Sequence, residues 1–384
     1  MTEPIQLVKD TIGRDDISAL IDWLKQEPIP QLSKGKLTVE FEEKFAKDIG
    51  VKHALLVNSG SSALLLAMYH LKKLGKKKVV VPALCWATDI APVIQFGLEP
   101  IIVDCNLFDL SVDYSQLEEI FIKENPDAFV CVSVLGIPPR MELIKRLCDQ
   151  YKVMLIEDFC ESHGSEINGR KIGSFGDMSM TSMYIGHICS AIEAGVICTN
   201  NSEIYESLVM YRSHGWVRDL SRERQFIHRH IAQVSEFEMQ YTFFTEGFNV
   251  RSTDLNAFIG LRQLDKLPFF VEQRFKNFNR YIEGVDNTLL AINNYRNMVI
   301  ANLGFPLVVE SDRDKVVKRL EDAKVECRPL ISGNIARHPA YKKYYNEKYP
   351  LKNADIIHKQ GLYLPNHPYL TEHEIDFVIG LING

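Results

Sequence analysis

Short apolar runs alternate with amphipathic helical segments along the first two thirds of the chain. The apolar runs are rich in Val and Ile and are bounded by Gly, Pro, Asp or Asn; they lie near residues 53–57, 79–84, 100–104, 128–134, 153–157 and 194–199. Helical patterns begin at Ser62, Thr88 and Met141, between most of these runs. Strands that alternate with helices favour an α/β fold with a buried, mainly parallel sheet covered on both faces.

The pattern changes in the last third of the chain. Residues 253–289 predict one long amphipathic helical stretch, interrupted at Pro268. A strand-like run from Phe305, a helical pattern from Ser311 and a second strand-like run from Val325 follow it. This order of elements is typical of a small α+β domain.

The chain of 384 residues is longer than one ordinary domain of about 100–200 residues. We predict a large domain over residues 1–250, and a linking helix with a small C-terminal domain over residues 251–384. The charged segment from Asp219 to His230 has no periodicity and is interpreted as a loop.

Composition and charge exclude several classes of protein. The chain has 44 Lys and Arg against 50 Asp and Glu, a net charge of −6, and no dense basic run, so it is a poor candidate for binding nucleic acid. Its apolar runs are shorter than the ~18–20 residues of a membrane-spanning helix, and its N-terminus lacks the pattern of a signal peptide. The 8 Cys are scattered without Cys-x-x-Cys pairs, so we expect no metal site, no disulfide framework and a cytoplasmic location.

The segment from Val57 to Ala67 combines a strand end, small residues and a helix start. Its sequence is VNSGSSALLLA, with Ser61 and Ser62 at the start of the helical pattern. Free backbone N–H groups and the helix dipole at such a start favour a phosphate group. An ordinary N-cap accounts for the same residues equally well, because Ser is a preferred capping residue.

A group of acids follows the apolar run at 153–157. In the segment LIEDFCESHGS, Glu157 and Asp158 close the run and Glu161 lies just beyond it. Open α/β sheets build their sites at the carboxyl ends of their strands, but an exposed acidic loop is an equally good interpretation. Trp86 follows another strand and could stack on a flat ring, although Trp is more often part of a core.

Two further segments have no specific function when taken alone. His187 lies in a predicted loop before the apolar run at 194–199, and a single His is usually structural. Gly247, Asn249 and Arg251 precede the long helical stretch and are typical of a turn and a helix start.

Taken together and in order, these segments resemble the DegT/DnrJ/EryC1/StrS family of vitamin-B6-dependent sugar aminotransferases and dehydratases. The similar segments are GKLTVEFEEKFAKDIGVKHALLVNSGSSAL, VPALCWATDIAPVIQFGLEPIIVDC, LIEDFCESHGS and EGFNVR, and they extend over most of the chain. The resemblance implies the fold of the fold type I PLP-dependent transferases, a large domain with a mixed, mainly parallel sheet and a smaller C-terminal α+β domain. It also implies pyridoxal 5'-phosphate (PLP) and pyridoxamine 5'-phosphate (PMP) as cofactors.

His187 departs from the usual pattern of this family. The family carries a Lys, six residues before a conserved Glu, that forms a Schiff base with PLP; counting back from Glu193 places His187 at that position. The chain thus resembles the branch of sugar 3-dehydratases in which His replaces Lys. In that branch His187 would be the catalytic residue, since an imidazole of ordinary pKa ~6.5 exchanges protons near neutral pH.

The resemblance assigns three residues to the cofactor ring. Asp158 would pair with the protonated ring nitrogen, Glu161 would contact the ring hydroxyl, and Trp86 would stack on the ring. The substrate would be a nucleotide-linked 4-keto-6-deoxysugar that loses its C3 hydroxyl, and glutamate would be the amino donor. His214 and Arg328 are further candidates for binding the sugar or the amino donor.

The resemblance assigns four further residues to the cofactor phosphate. Ser61, Ser62 and Ser182 would bind the phosphate within one subunit. Asn249 would reach the phosphate in the neighbouring subunit, which requires a homodimer with shared active sites.

Alternative functions remain open from the sequence. The chain could be a true sugar aminotransferase that works without the Lys, or a non-catalytic family member. A further relative in the dehydratase branch uses an iron–sulfur cluster and needs a Cys-x-Cys pair. This chain has no such pair, so the cluster-free reaction is favoured.

Overall fold

The largest element of the computed structural model is a mixed β-sheet that runs through the first two hundred residues. The structure describes residues 3–286, 288–290, 297–310 and 312–384. Its strands within this part of the chain are β1 (His53–Val57), β2 (Lys78–Pro82), β3 (Glu99–Val103), β4 (Ala128–Val132), β5 (Met154–Asp158), β6 (Glu166–Ile167), β7 (Arg170–Lys171), β8 (Met178–Ser182), β9 (Gly195–Thr199), β10 (Met298–Val299), β11 (Gly304–Val308), β12 (Arg328–Pro329) and β13 (Gly361–Pro365).

The helices cover both faces of this sheet and build much of the C-terminal part. Within the described residues they are α1 (Arg14–Leu24), α2 (Lys36–Ile49), α3 (Gly60–Lys73), α4 (Ala87–Gln95), α5 (Tyr114–Glu124), α6 (Met141–Tyr151), α7 (Ser202–Arg212), α8 (Arg222–Ala232), α9 (Glu236–Met239), α10 (Asp254–Gly284), α11 (Arg313–Asp322), α12 (Lys352–Gln360) and α13 (Glu372–Asn383).

The central sheet has the order β1-β9-β8-β5-β4-β2-β3 among the described residues. The strands from β8 to β3 are parallel to their neighbours, whereas β9 is antiparallel to both β8 and β1. The predicted α/β fold with a mixed, mainly parallel sheet is therefore confirmed. Each of the six apolar runs contains a strand, while β8 was not predicted.

Alternate residues of each strand belong to two different hydrophobic cores. Leu55 and Val57 of β1 contact the core that includes residues of α3, α4 and α7, whereas Ala54 and Leu56 contact the core that includes α2, α5 and α6. Successive side chains of a strand point to opposite faces. Apolar residues at every position are thus explained by burial of both faces.

A second sheet follows the long helix. It has the order β11-β13-β12 and is antiparallel. The predicted strand from Phe305 and the predicted helix after it are present as β11 and α11, although Ser311 itself lies outside the described residues. The predicted strand from Val325 is reduced to Arg328–Pro329, because Val325 forms an isolated parallel bridge with Ile5 instead. The domain boundary at residues 250/251 stays a prediction.

The predicted interruption at Pro268 is wrong. Helix α10 continues through this residue from Asp254 to Gly284. Proline removes one backbone hydrogen bond and normally breaks a helix. Here Leu264, Leu267 and Phe270 are buried around the proline, so tertiary packing compensates for the lost bond. Asn287, near the end of the predicted stretch, lies outside the described residues.

The predicted loop over residues 219–230 is also wrong, because most of it forms α8. The Ser221 side chain accepts the N–H of Arg224 at 3.3 Å and caps the helix. Arg224 then donates to Glu206 at 2.7 Å, which attaches α8 to α7. None of the described residues of α8 is buried, so the helix packs no apolar face into a core.

Among the described residues, no helix combines the length and the hydropathy that crossing a bilayer requires.

Candidate active site

Three of the predicted site residues lie at or shortly after the ends of strands of the central sheet. β5 ends at Asp158, β8 ends at Ser182, and the chain after β2 leads to Trp86 at the start of α4. β2, β4, β5 and β8 are parallel, so their carboxyl ends meet at one edge of the sheet. Ligands of open α/β sheets bind at this edge. The structure thus brings these three predicted site residues to the same edge.

The N-terminus of α3 packs directly against the end of β8. A Cβ built on Gly60 would lie 2.7 Å from the Cβ of Ser182 and 3.3 Å from the Sγ of Cys160. Ser59 caps the helix, since its side chain accepts the N–H of Ser62 at 3.1 Å. The first N–H groups of a helix have no intrahelical acceptor, and its dipole favours an anion. Only a residue without a side chain fits between the helix and Ser182.

Hydroxyl groups surround this helix start. Ser61 is exposed, and its Oγ lies 3.0 Å from the Oγ1 of Thr88 in the first turn of α4. Ser182 accepts the N–H of Tyr184 at 3.3 Å and keeps its own hydroxyl proton for a further acceptor. Two helix starts and several hydroxyl donors therefore converge, an arrangement that fits a phosphate group.

Three carboxyl groups lie together beside this helix start. Asp158 is buried, and its Oδ1 accepts the N–H of Cys160 at 2.8 Å. Asp89 is completely buried, and Asp89 and Asp158 lie within hydrogen-bond reach of each other. Glu161 is half-buried, and its Oε2 accepts the N–H of Leu135 at 2.6 Å. None of the ion pairs of the described residues includes any of these three carboxyl groups.

The cluster has an excess of negative charge that a cation would relieve. Burial raises the pKa of Glu161 to about 8, and the charge of Asp158 adds to this effect. Glu161 is therefore mainly protonated at neutral pH and can donate a hydrogen bond. A buried carboxylate without a cationic partner is unfavourable, so a protonated ring nitrogen beside Asp158 fits the cluster.

Trp86 differs from an ordinary core Trp. It is the N-cap residue of α4, and its side chain is 60% exposed. Its backbone N–H donates to the Oδ2 of Asp89 at 3.0 Å, which ties the residue to the carboxyl cluster. An exposed indole beside a buried acid provides a flat surface for a ring.

His187 lies in the loop between β8 and β9, five residues after Ser182. Its backbone N–H donates to the carbonyl of Tyr184 at 2.9 Å. The side chain is half-buried, and within the described residues its Nδ1 has no hydrogen-bond partner. A buried ring nitrogen without a partner is unusual and leaves this atom available to a ligand or a proton.

The surroundings of His187 favour its neutral form. Burial lowers the pKa of His187 to about 4, and the charge of Arg274 adds to this effect. Arg274 is buried and donates to the carbonyl oxygens of Asn302, Leu303 and Asn366 at 2.7–3.2 Å, and no carboxylate of the described residues forms an ion pair with it. The expectation of an ordinary pKa for His187 is therefore wrong. At neutral pH the imidazole is uncharged and can accept a proton.

Glu157 is not part of this carboxyl cluster. It is buried, and its carboxylate accepts the N–H groups of Gly173, Phe175 and Gly176 at 2.5–2.8 Å. Glu157 therefore holds the turn before β8, which is a structural role.

The segment around Asn249 lies beside the end of β1. Arg251 forms an antiparallel bridge with Val57, and Asn249 forms one with Ser213. Asn249 is exposed, and its Oδ1 accepts from the Nε of Arg251 at 3.1 Å. The role of Asn249 in a neighbouring subunit stays a prediction.

His214 and Arg328 lie on two further elements. His214 has φ +60°, and its ring centroid is 4.9 Å from that of Trp216. Arg328 is exposed on β12 and is paired with Tyr363 of β13. Burial raises the pKa of Tyr363 to about 12; the charge of Glu161 raises it further, whereas the charge of Arg328 lowers it. The substrate-binding roles of both residues stay predictions.

Two residues of the site were not predicted from the sequence. Thr88 and Asp89 were interpreted only as the start of a helical pattern. An Asp in the first turn of a helix is typical of a cap, so its contact with Asp158 had no signal in the sequence.

Comparison with known proteins gives a match along nearly the whole chain. The profile of the DegT/DnrJ/EryC1/StrS aminotransferase family matches residues 11–383. The GDP-4-keto-6-deoxy-D-mannose 3-dehydratase of Escherichia coli O55:H7 is 32% identical over 357 residues, which cover 90% of this chain and 91% of that protein.

Two crystal structures of GDP-4-keto-6-deoxymannose-3-dehydratase are also similar. An Asn-for-His mutant with bound GDP-perosamine has a TM-score of 0.88 at 29% identity, covering 99% of this chain and 100% of that one. A structure with a trapped PLP-glutamate geminal diamine has a TM-score of 0.87 at 28% identity, covering 98% and 100%. The predicted fold of the PLP-dependent aminotransferases is therefore confirmed. Since the profile spans almost the whole chain and a relative exceeds 30% identity over 90% of it, this chain belongs to the DegT/DnrJ/EryC1/StrS aminotransferase family.

Proposed function

We propose that this chain is a dehydratase that depends on PLP and PMP. Its substrate is a nucleotide-linked 4-keto-6-deoxysugar, from which it removes the C3 hydroxyl, and glutamate restores the amine form of the cofactor. The observation that carries the proposal is His187, which occupies the position of the family's Schiff-base Lys.

The loop that carries His187 offers no amine to the cofactor. Residues 183–194 contain no Lys, and an imidazole cannot form a stable C=N bond with an aldehyde. The cofactor is therefore held by noncovalent contacts, and no side-chain amine competes for its aldehyde carbon.

The residues at the sheet edge fit such noncovalent binding. Ser61, Ser62 and Ser182 bind the phosphate together with the start of α3, and Trp86 stacks on the ring. Asp158 would accept a hydrogen bond from the N–H of the ring and keep the ring nitrogen protonated, and the protonated Glu161 of the same cluster would contact the ring hydroxyl.

His187 is the residue that moves protons. When bound, the cofactor supplies the amine that condenses with the 4-keto group and the conjugated ring that accepts electrons. His187, neutral at rest, would take the proton that leaves the cofactor's methylene carbon and would deliver it to the oxygen of the C3 hydroxyl, which would then leave as water.

The substrate class follows the relatives. The E. coli relative is named for GDP-4-keto-6-deoxy-D-mannose, and one related crystal structure contains GDP-perosamine. Glutamate as amino donor is supported by the adduct in the other crystal structure. Arg328 or His214 is assigned to the sugar or the amino donor, and Asn249 to the phosphate of a partner subunit in a homodimer.

A substrate panel tests this function. The purified protein would be mixed with PLP, glutamate and one of several nucleotide-linked 4-keto-6-deoxysugars, and the sugar product would be analysed by mass spectrometry. We expect a GDP-linked sugar to lose one oxygen atom. A product that keeps this oxygen and gains nitrogen would identify an aminotransferase, and a panel without any turnover would favour a non-catalytic role.

The cofactor should resist reductive trapping on the protein. Sodium borohydride reduces a C=N bond between PLP and a Lys to a stable secondary amine, but His187 cannot form that bond. We expect mass spectrometry of the borohydride-treated protein with PLP to give the unmodified mass. The His187→Lys variant serves as the positive control, and a reduced adduct on a Lys of the wild-type chain would contradict the prediction.

A further inference from the structure

Asp89 is a completely buried acid in the first turn of α4. Its Oδ2 accepts the N–H of Trp86 at 3.0 Å. Within the described residues its Oδ1 receives no hydrogen bond, although this atom is buried as well. The carboxyl group instead faces that of Asp158 within hydrogen-bond reach.

Two carboxylates cannot bond to each other, because both are acceptors. A carboxyl pair in hydrogen-bond contact therefore shares one proton. The titratable groups around Asp89 are Asp158 and Glu161 on the β5 side and the thiols of Cys85 and Cys160, so the described neighbours supply no positive charge. Burial raises the pKa of Asp89 well above its ordinary value, and the charge of Asp158 adds to this effect.

We propose that Asp89 is a positioning residue, which carries the shared proton and donates it in a hydrogen bond that orients the Asp158 carboxylate toward the ring nitrogen of the cofactor. This inference rests on the proposed cofactor site.

Two donors to the Asp158 carboxylate explain why a buried acid at position 89 is useful. The N–H of Cys160 fixes Asp158 from the loop after β5, and the O–H of Asp89 fixes it from α4. A carboxylate held by donors from two elements has a defined plane, and its remaining lone pairs are directed to one place. Asp89 also holds the backbone of Trp86. The Asp89 side chain thus positions both Asp158, which contacts the ring nitrogen, and Trp86, which contacts the ring face.

Two variants test whether Asp89 acts on the site as a neutral hydrogen-bond donor or through a negative charge. Asp89→Asn is neutral, keeps an N–H donor for Asp158 and keeps an oxygen for the N–H of Trp86. Asp89→Leu has a similar volume but removes both functions. Asp113→Asn is the matched control, because Asp113 caps α5 and accepts the N–H groups of Ser115 and Gln116.

The readouts are the Kd of the protein for PMP and the nitrogen-15 chemical shift of its labelled ring nitrogen. We expect Asp89→Asn and Asp113→Asn to keep the Kd and a protonated ring nitrogen. We expect Asp89→Leu to weaken PMP binding about 10-fold or more, as for a lost hydrogen bond to a charged group. If Asp89→Leu does not fold, Asp89→Ala, which also removes both hydrogen-bonding functions, is measured in its place, with the same expected loss of PMP binding.

Two results would overturn the inference. A deprotonated ring nitrogen in Asp89→Asn would mean that Asp89 acts through a negative charge, and unchanged binding in Asp89→Leu would mean that it does not act on the site. Asp158→Asn distinguishes this failure from a failure of the proposed site. If Asp158→Asn changes the protonation of the ring nitrogen but Asp89→Leu has no effect, only the role of Asp89 is wrong. If Asp158→Asn has no effect either, the proposed cofactor site is wrong.

Discussion

Replacing His187 with Asn is expected to lower turnover by two or more orders of magnitude, the usual contribution of a general acid–base group. Asn has a similar volume and polarity, but its amide does not exchange protons near neutral pH. Cofactor binding should survive, because the phosphate and ring contacts come from other residues. Stopped-flow measurement of the PMP half-reaction with the 4-ketosugar would give the rate, and spectral titration would give the Kd.

The acidic side of the pH profile provides a second readout for His187. Burial lowers the pKa of His187 to about 4, so the imidazole is neutral at every pH above about 4. It becomes protonated, and can no longer act as a base, only below about pH 4. The contribution of His187 to kcat/KM should therefore be lost as the pH falls through about 4. Wild-type turnover in His187→Asn would contradict the assignment and direct attention to another base such as His214.

Replacing Asp158 with Asn is expected to lower turnover by about 100-fold or more, the scale for removing one preorganised electrostatic contact. Asn can still accept the N–H of Cys160, so the fold should remain intact. It lacks the charge that keeps the ring nitrogen protonated, and the cofactor should become a weaker electron acceptor. The rate of the half-reaction and the nitrogen-15 shift of the ring nitrogen would both be measured.

Glu157→Gln is the matched control for Asp158→Asn. Glu157 precedes Asp158 on β5 and is also buried, but it accepts hydrogen bonds from backbone N–H groups of the turn before β8. This variant should lower the melting temperature without a change in the ring nitrogen. Unchanged turnover of Asp158→Asn with bound cofactor would show that Asp158 is not the partner of the ring.

The elements that the sequence predicted well are those buried on two sides. The strand ending at Asp158 and the strand from His53 are apolar at consecutive positions because both faces of the sheet are covered. Helix α8 was missed because none of its described residues is buried. Pro268 was wrongly predicted to interrupt the helix. The rule that proline breaks a helix is local, whereas packing around α10 keeps the helix continuous here.

The site was predictable only in part for a similar reason. Asp158 ends a predicted strand, so the strand pattern gives its position directly, and the resemblance to the family supplied its role. Ser182 ends β8, which the pattern did not predict, so only the resemblance pointed to it. Asp89 lies on a helix, and its contact with Asp158 depends on how α4 packs near the end of β5. The lowered pKa of His187 depends first on its burial and then on the charge of Arg274, which lies 87 residues later in the sequence. No local pattern reports such contacts.

The most direct test of dehydration against aminotransfer is the ratio of ammonia to 2-oxoglutarate during turnover with an accepted 4-ketosugar and glutamate. Removal of the C3 hydroxyl converts one 4-ketosugar and one glutamate into one 3-deoxy-4-ketosugar, one 2-oxoglutarate and one ammonia. Aminotransfer keeps the nitrogen on the sugar, so 2-oxoglutarate forms without ammonia. The proposed function predicts equal amounts of ammonia and 2-oxoglutarate; 2-oxoglutarate without ammonia, together with a 4-aminosugar, would contradict it.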